Sequence, residues 1–161
     1  MKNILIKITA FALSVSLLTL PTVKASSSAA VTEETKLNVI VRLGIFKGDT
    51  DGNLRPGDNI IRSELITAFI RALGLEGTIN YAPGNVAFSD IDSSHWAYKY
   101  ISAALKNNLI AGYPDNTIGA DRQITYSETL TLILRSLGYQ EAINKGNWPE
   151  NVIDKSYELG I

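Results

Sequence analysis

Two short segments hold the residues whose types and spacing could do chemistry. Ile60-Ile-Arg-Ser-Glu64 and Ile124-Thr-Tyr-Ser-Glu128 stand 64 residues apart and agree at their first, fourth and fifth positions. Thr125 followed three residues later by Glu128 has the spacing of a capping box, in which each side chain takes a free amide of a helix's first turn. The first segment keeps Glu64 but has Ile61 in place of the threonine. It adds Arg62, whose guanidinium is a fixed fork of donors suited to a carboxylate. Tyr126 occupies the equivalent place in the second segment, so capping and charge are divided between the two. Glu64 and Glu128 are accordingly read as capping residues, and Arg62 as the residue free to meet a ligand.

Other chemistries are excluded. The chain has no cysteine, which removes disulfides, iron–sulfur clusters and thiol nucleophiles. His95 is the single histidine, which rules out a multi-histidine metal site and leaves little room for acid–base relays. Asp49-Thr-Asp51-Gly-Asn53 imitates the start of a calcium loop, but its glycine falls fourth rather than sixth and Ile60 stands where the loop's final glutamate belongs. It reads as a turn. No phosphate-binding loop, dinucleotide fingerprint or nucleophile elbow is present. No metal, no cofactor and no catalytic residue is expected, and the chain is read as not an enzyme.

The elements that must position these residues repeat. Shifting the sequence by 64 lays Val31–Leu75 on His95–Tyr139 without a gap, with identities that include Gly48/Gly112, Asp51/Asp115, Thr67/Thr131 and Arg71/Arg135. A shift of 52 lays Trp148–Ile161 on Trp96–Leu109. The chain therefore holds two units and the opening of a third. Each unit reads as helix, loop, helix. Ala97, Ile101, Ala104 and Leu105 form an apolar stripe at helical spacing, matched by Leu37, Ile40 and Val41 in the first unit. Ser93 or Ser94 is expected to cap the start of this helix. Its end falls at Gly44, Asn108 and Gly160 in the three units, residue types that tolerate the left-handed stop. The second helices carry Leu65, Ile66, Phe69, Ile70 and Leu73, and Leu130, Ile133, Leu134 and Leu137, all expected in the core. The loops between, Lys47–Asn59 and Ala111–Gln123, are polar and turn-rich.

The first 25 residues read as an export signal. Lys2 and Lys7 precede the apolar run Ile8–Leu20, and Val23-Lys-Ala25 offers a small-x-small exit. Thirteen apolar residues rise only about 20 Å as a helix, short of the roughly 30 Å hydrocarbon core, so the run is not an anchor. Residues 26–32 read as a linker. Loss of the signal removes three of the 15 basic residues and none of the 16 acidic ones, leaving a net charge of −4. That balance argues against nucleic acid, and no membrane association is expected after cleavage.

The ordered motifs resemble the S-layer homology domain. Phe88-Ser-Asp-Ile91, His95-Trp-Ala97, Tyr100-Ile101, Gly112-Tyr-Pro-Asp-Asn116, Ile124-Thr-Tyr-Ser-Glu128 and Leu134-Arg-Ser-Leu-Gly138 follow that family's order; the first unit joins it from Leu43-Gly-Ile45 onward. The resemblance covers most of residues 31–161 and divides the chain into repeats at 33–76 and 88–140, a connecting stretch at 77–87 and an incomplete third repeat at 141–161. It implies an all-α fold of tandem helix-loop-helix repeats packed as a pseudo-trimeric helical bundle. It further implies an exported cell-surface protein that binds secondary cell-wall polysaccharide, often bearing pyruvyl ketals, in grooves between units. On this resemblance Arg62 would hold the acidic substituent and Tyr126 would stack on a sugar face. Gly112 and Tyr113 would border the groove, and Asp90 would cap or bond a backbone turn. Trp96 is expected to pack against a neighbouring unit, with sugar contact as its alternative role, and His95 to belong to the helix start.

Three functions compete at this level. The first is a non-covalent wall anchor. The second is the anchoring segment of a larger wall or polysaccharide hydrolase. The third is a structural module whose degenerate repeats only mediate self-assembly.

Overall fold

The structure is a computed structural model and describes residues 32–79 and 87–161. The export signal expected at 1–25 lies outside the described residues, as do most of both linkers. Among the described residues the regular structure is helical. Helix α1 spans Glu33–Arg42, α2 Arg62–Ala72, α3 Tyr98–Lys106, α4 Tyr126–Ser136, α5 Gln140–Asn144 and α6 Glu150–Leu159, with a 3₁₀ turn at Glu76–Thr78. No helix among these residues is long and apolar enough to cross a membrane.

The repeat dictates the packing. The first helix of each later unit lies against the second helix of the unit before it, α3 on α2 and α6 on α4. In α3 the stripe is narrow and small: Ala97, Ile101 and Ala104 are fully buried, and Tyr98 and Tyr100 nearly so. They meet Ile66 and Ile70 of α2, with Leu109, Ile110 and Ile118 closing the same core. At the second junction Leu130 and Leu134 of α4 are buried, as are Val152 and Ser156 of α6.

Helix ends agree with the sequence where glycine or asparagine was placed. Gly44, Asn108 and Gly160 have φ of +71°, +56° and +72°, so all three first helices close in the left-handed conformation. Starts agree less well. Neither Ser93 nor Ser94 caps α3. Its flanking residue is Ala97, whose amide donates to His95 Nδ1, while Asp92 accepts from the Ser94 amide and hydroxyl. Helix α1 gains a cap from Thr32, at the end of the expected linker, which accepts from the Thr35 amide at 3.2 Å.

Two expected core leucines are exposed: Leu73 at 41% and Leu137 at 56%. Both sit just past the last helical residue, where the chain turns left-handed at Gly74 and Gly138. The residue after each glycine folds back instead, with the Leu75 amide donating to Ile70 O and the Tyr139 amide to Leu134 O. This is the Schellman closure, whose apolar contact comes from beyond the glycine. On α4, Leu132 is buried at 2% while the expected Ile133 is only half-buried, because Leu132 joins the core cluster built by α2 and α3. Helix α5 was not read from the sequence; it bridges α4 and α6.

Candidate functional site

The two capping segments meet across the repeat boundary. In α4 the box is complete: the Glu128 amide donates to Thr125 Oγ1, and the Thr125 amide to Glu128 Oε2 at 2.9 Å. In α2 only half exists, the Ile61 amide donating to Glu64 Oε2 at 3.0 Å, because isoleucine has no oxygen to offer. Two other amides of its first turn are taken by the second repeat. Arg62 and Ser63 N–H donate to the carbonyls of Arg122 and Ala120, both at 2.9 Å, and Ile61 pairs with Gln123 in an antiparallel bridge. The start of α2 is thus held by a contact between repeats.

Arg62 strengthens that contact. Only 7% exposed, it donates from Nε to Ile118 O at 3.0 Å and from Nη2 to Ala111 O at 3.1 Å. Its face lies 5.1 Å from the centre of the Tyr113 ring. Burial pushes its pKa down from the ordinary arginine value; Glu128 opposes this and Arg122 adds to it. The fork expected to reach outward is turned inward onto backbone carbonyls.

Tyr113 is therefore held on two sides. Arg122 lies 4.4 Å from its ring centre, and its hydroxyl donates to Glu128 Oε1 at 2.6 Å. Arg122 Nη2 donates to the same hydroxyl and pairs with the same carboxylate. Glu128 thus caps α4 with one oxygen and ties the loop to the helix with the other. Gly119, at φ +67°, lies under this arrangement; a Cβ there would stand 2.8 Å from Arg122 Nε and 3.0 Å from the Tyr113 ring.

Asp90 holds the loop from the opposite side, accepting from Ile118 N–H at 2.8 Å and Gly119 N–H at 2.7 Å, one bond to each oxygen. Asp115 accepts from the Thr117 hydroxyl and amide, bonds that hold its carboxyl below the ordinary aspartate value. Together these residues, with Pro114, Ala120 and Asp121, enclose an open cleft of about 680 Å³.

The structure brings Arg62, Tyr113, Thr125 and Glu128 together beside this cleft, with Asp90 across it. Gly112 stands apart from the lining: a Cβ there would come within 2.1 Å of the Phe88 ring, so its bareness makes room for packing. Trp96, 52% exposed, stacks on His95 with ring centres 5.8 Å apart, and His95 Nε2 bonds Asp121 Oδ1 at 3.1 Å on the cleft's edge. Tyr126 begins α4 at 66% exposure and does not line the cleft. Glu64 belongs to the first repeat, where Arg55 approaches it at 3.9 Å. Trp148 is tied to the preceding unit, Nε1 donating to Thr131 Oγ1 at 3.1 Å.

Sequence reasoning missed Arg122. Its equivalent in the first repeat is Asp58, so the repeat itself gives no signal. The available signal was its place six residues before the box glutamate, in a loop that must fold back over that helix start.

Comparison with known proteins bears on the same two regions. The S-layer homology domain family model matches residues 26–66 and 87–130. The chain is 34% identical over 119 residues to a surface layer protein of Brevibacillus choshinensis, covering 74% of this chain and 11% of that protein. It is 30% identical to the middle cell wall protein of Brevibacillus brevis, covering 100% of this chain and 16% of the relative. It is 33% identical over 101 residues to a cellulosome-anchoring protein of Acetivibrio thermocellus, covering 63% and 23%. The chain spans less than a quarter of the length of each of these relatives. With more than half of its residues matched across both repeats, the chain belongs to the S-layer homology domain family of cell-surface proteins.

Proposed function

We propose that this protein is a non-catalytic cell-wall anchoring module that holds on to secondary cell-wall polysaccharide without a covalent bond. The observation that carries the reading is the cleft beside Tyr113, a preformed concave surface with an aromatic ring fixed by Arg62, Arg122 and Glu128. A rigid aromatic edge with convergent polar groups suits a sugar, because little freedom is lost on binding. The polymer the family resemblance implies, a pyruvylated chain, is the first to offer it. On this reading Tyr113 touches it, and Trp96 and Tyr126, both exposed, add contacts along a longer chain.

Co-sedimentation of the chain without its first 25 residues with purified cell walls tests this. Binding is expected to walls that retain their polysaccharide and to disappear after acid extraction of it; unchanged binding after extraction would sink the reading. Replacing Tyr113 with alanine should weaken binding at least tenfold. A second reading, the anchoring part of a longer protein, is supported by the small share of each relative that this chain spans. The two readings use the same cleft.

A further inference from the structure

We infer that Arg135, and not Arg62, is the residue that takes a carboxylate carried by the wall polymer. The inference rests on the anchoring reading above and adds to it a contact on α4, outside the lining of the Tyr113 cleft.

Comparison of the two repeats singles this residue out. Arg71 and Arg135 hold the same place, the last turn of α2 and of α4, where the helix carbonyls favour a cation. Arg71 is engaged through three nitrogens. Its Nε donates to Glu76 Oε1 and its Nη1 to Ile45 O, both at 3.5 Å, and its Nη2 to the Tyr100 hydroxyl at 3.2 Å. Its face also lies 5.2 Å from the centre of the Tyr100 ring. Arg135 has lost both of those side-chain partners. A shift of 64 puts Gln140 at the place of Glu76, and a shift of 52 puts Val152, fully buried and apolar, at the place of Tyr100. Among the described residues no hydrogen bond or ion pair reaches Arg135, and its Nε is buried without an acceptor.

Burial, and after it the positive charge of Arg62, push the pKa of Arg135 down from the ordinary arginine value. Both effects mark a guanidinium short of negative charge. Arginine keeps its proton in proteins, so the shortage is met by an acceptor and not by titration. No internal carboxylate is spare for it. Glu128, the one that acts on Arg62, is already bound by Arg122, the Tyr113 hydroxyl and the Thr125 amide. Arg62 is 7% exposed with Nε and Nη2 on carbonyls, whereas Arg135 is only half-buried and open to a ligand from solvent. Thr131 stands one turn before Arg135 on the same side of α4 and accepts from Trp148 Nε1, whose indole is 53% exposed. An exposed ring and an unmet guanidinium on one side of a helix suit a sugar that carries a carboxylate: the ring takes the sugar, and the fork takes the two oxygens.

The test uses the signal-free chain and a purified wall polysaccharide shown by titration to carry carboxylates. The same polymer is compared after carbodiimide activation and borohydride reduction of those carboxylates to alcohols. The chain is expected to bind the carboxylated form about tenfold more tightly than the reduced one, and Arg135→Gln to bring the two within about twofold. A preference that survives Arg135→Gln, or equal binding of both polymers by the unaltered chain, would overturn the inference while leaving wall binding intact. Absence of binding to both forms would instead remove the anchoring reading itself, and this inference with it. Urea denaturation without polymer supplies a second measure. Because its guanidinium has no internal partner, Arg135→Gln should leave the midpoint unchanged or raise it, whereas Arg71→Gln should lower it. A fall for Arg135→Gln as large as that for Arg71→Gln would show the guanidinium to be occupied within the fold, and would overturn its assignment to a ligand.

Discussion

Arg62 shows how one side chain can be assigned by type and then reassigned by place. An arginine at a helix start suggests an outward fork for an anion. Here the fork supplies donors to Ile118 O and Ala111 O, carbonyls of the neighbouring repeat. Removing it leaves two acceptors under the surface without their partner, each worth about 1–3 kcal/mol. Arg62→Ala should therefore lower stability by about 2–4 kcal/mol, seen as a lower urea midpoint with an unchanged slope. Arg62→Lys, which keeps the charge but not the fork, should recover less than half of that loss. Full stability of the alanine variant would show the two bonds to be idle. Glu76 makes a residue-scale prediction about pH. The Tyr100 hydroxyl, donating at 2.6 Å, holds its carboxyl below the ordinary value of 4.5, helped by Lys47 and Arg71 against the opposing effect of burial. A depressed folded-state pKa means that the contribution is present above the unfolded value and is lost as pH falls through the folded one. Thermal stability should thus decline below about pH 4.5, and Glu76→Gln should flatten that decline, as a series of melts from pH 6 to pH 3 would reveal.

At the scale of elements, the two second helices are the same sequence idea with different starts. Helix α4 is capped from within, by Thr125 and Glu128; α2 is capped from without, by Arg122 O and Ala120 O. Thr125→Ala should cost about 1 kcal/mol, measured by chemical denaturation, in keeping with the loss of a single cap. A loss below about 0.3 kcal/mol would mean that Glu128 and the loop hold the helix start without it. The stops of the first helices were legible because they depend on a backbone conformation that few residue types accept, and Gly44, Asn108 and Gly160 all adopt it. The capping box of α4 was legible for a similar reason: its geometry is local and fixed by spacing. What could not be read was whatever a distant segment decides. The inward turn of Arg62 depends on carbonyls 49 and 56 residues away. The burial of Leu132 depends on the core that α2 and α3 build, and the need for Gly112 depends on Phe88. A groove beside this loop, with Tyr113 on it, was implied by the family resemblance alone; the part that Asp121 and Arg122 play in the cleft had no signal in the sequence.

For the molecule as a whole, the packing rule leaves apolar surface in view. Each later first helix covers the preceding second helix, but Leu37, Ile40 and Val41 of α1 are only half-buried and Val39 is 48% exposed. Leu43 at 68%, Leu137 at 56% and Tyr157 at 77% add large side chains to the surface of 32–161. Apolar groups of this size, left in water, favour contact with whatever can cover them, at about 25 cal/mol for each Å² removed from solvent. The signal-free chain is therefore expected to self-associate reversibly. Its sedimentation coefficient should rise with concentration through the micromolar range, and its melting temperature should rise with it, since association stabilises the state that associates. Leu137→Lys or Tyr157→Lys should shift the balance toward monomer without lowering the melting temperature at high dilution, because neither side chain is part of the core. A monomer that melts sharply at high temperature whatever its concentration would show that the exposed residues are tolerated as they stand, and that the two repeats with their third helix are already a closed unit.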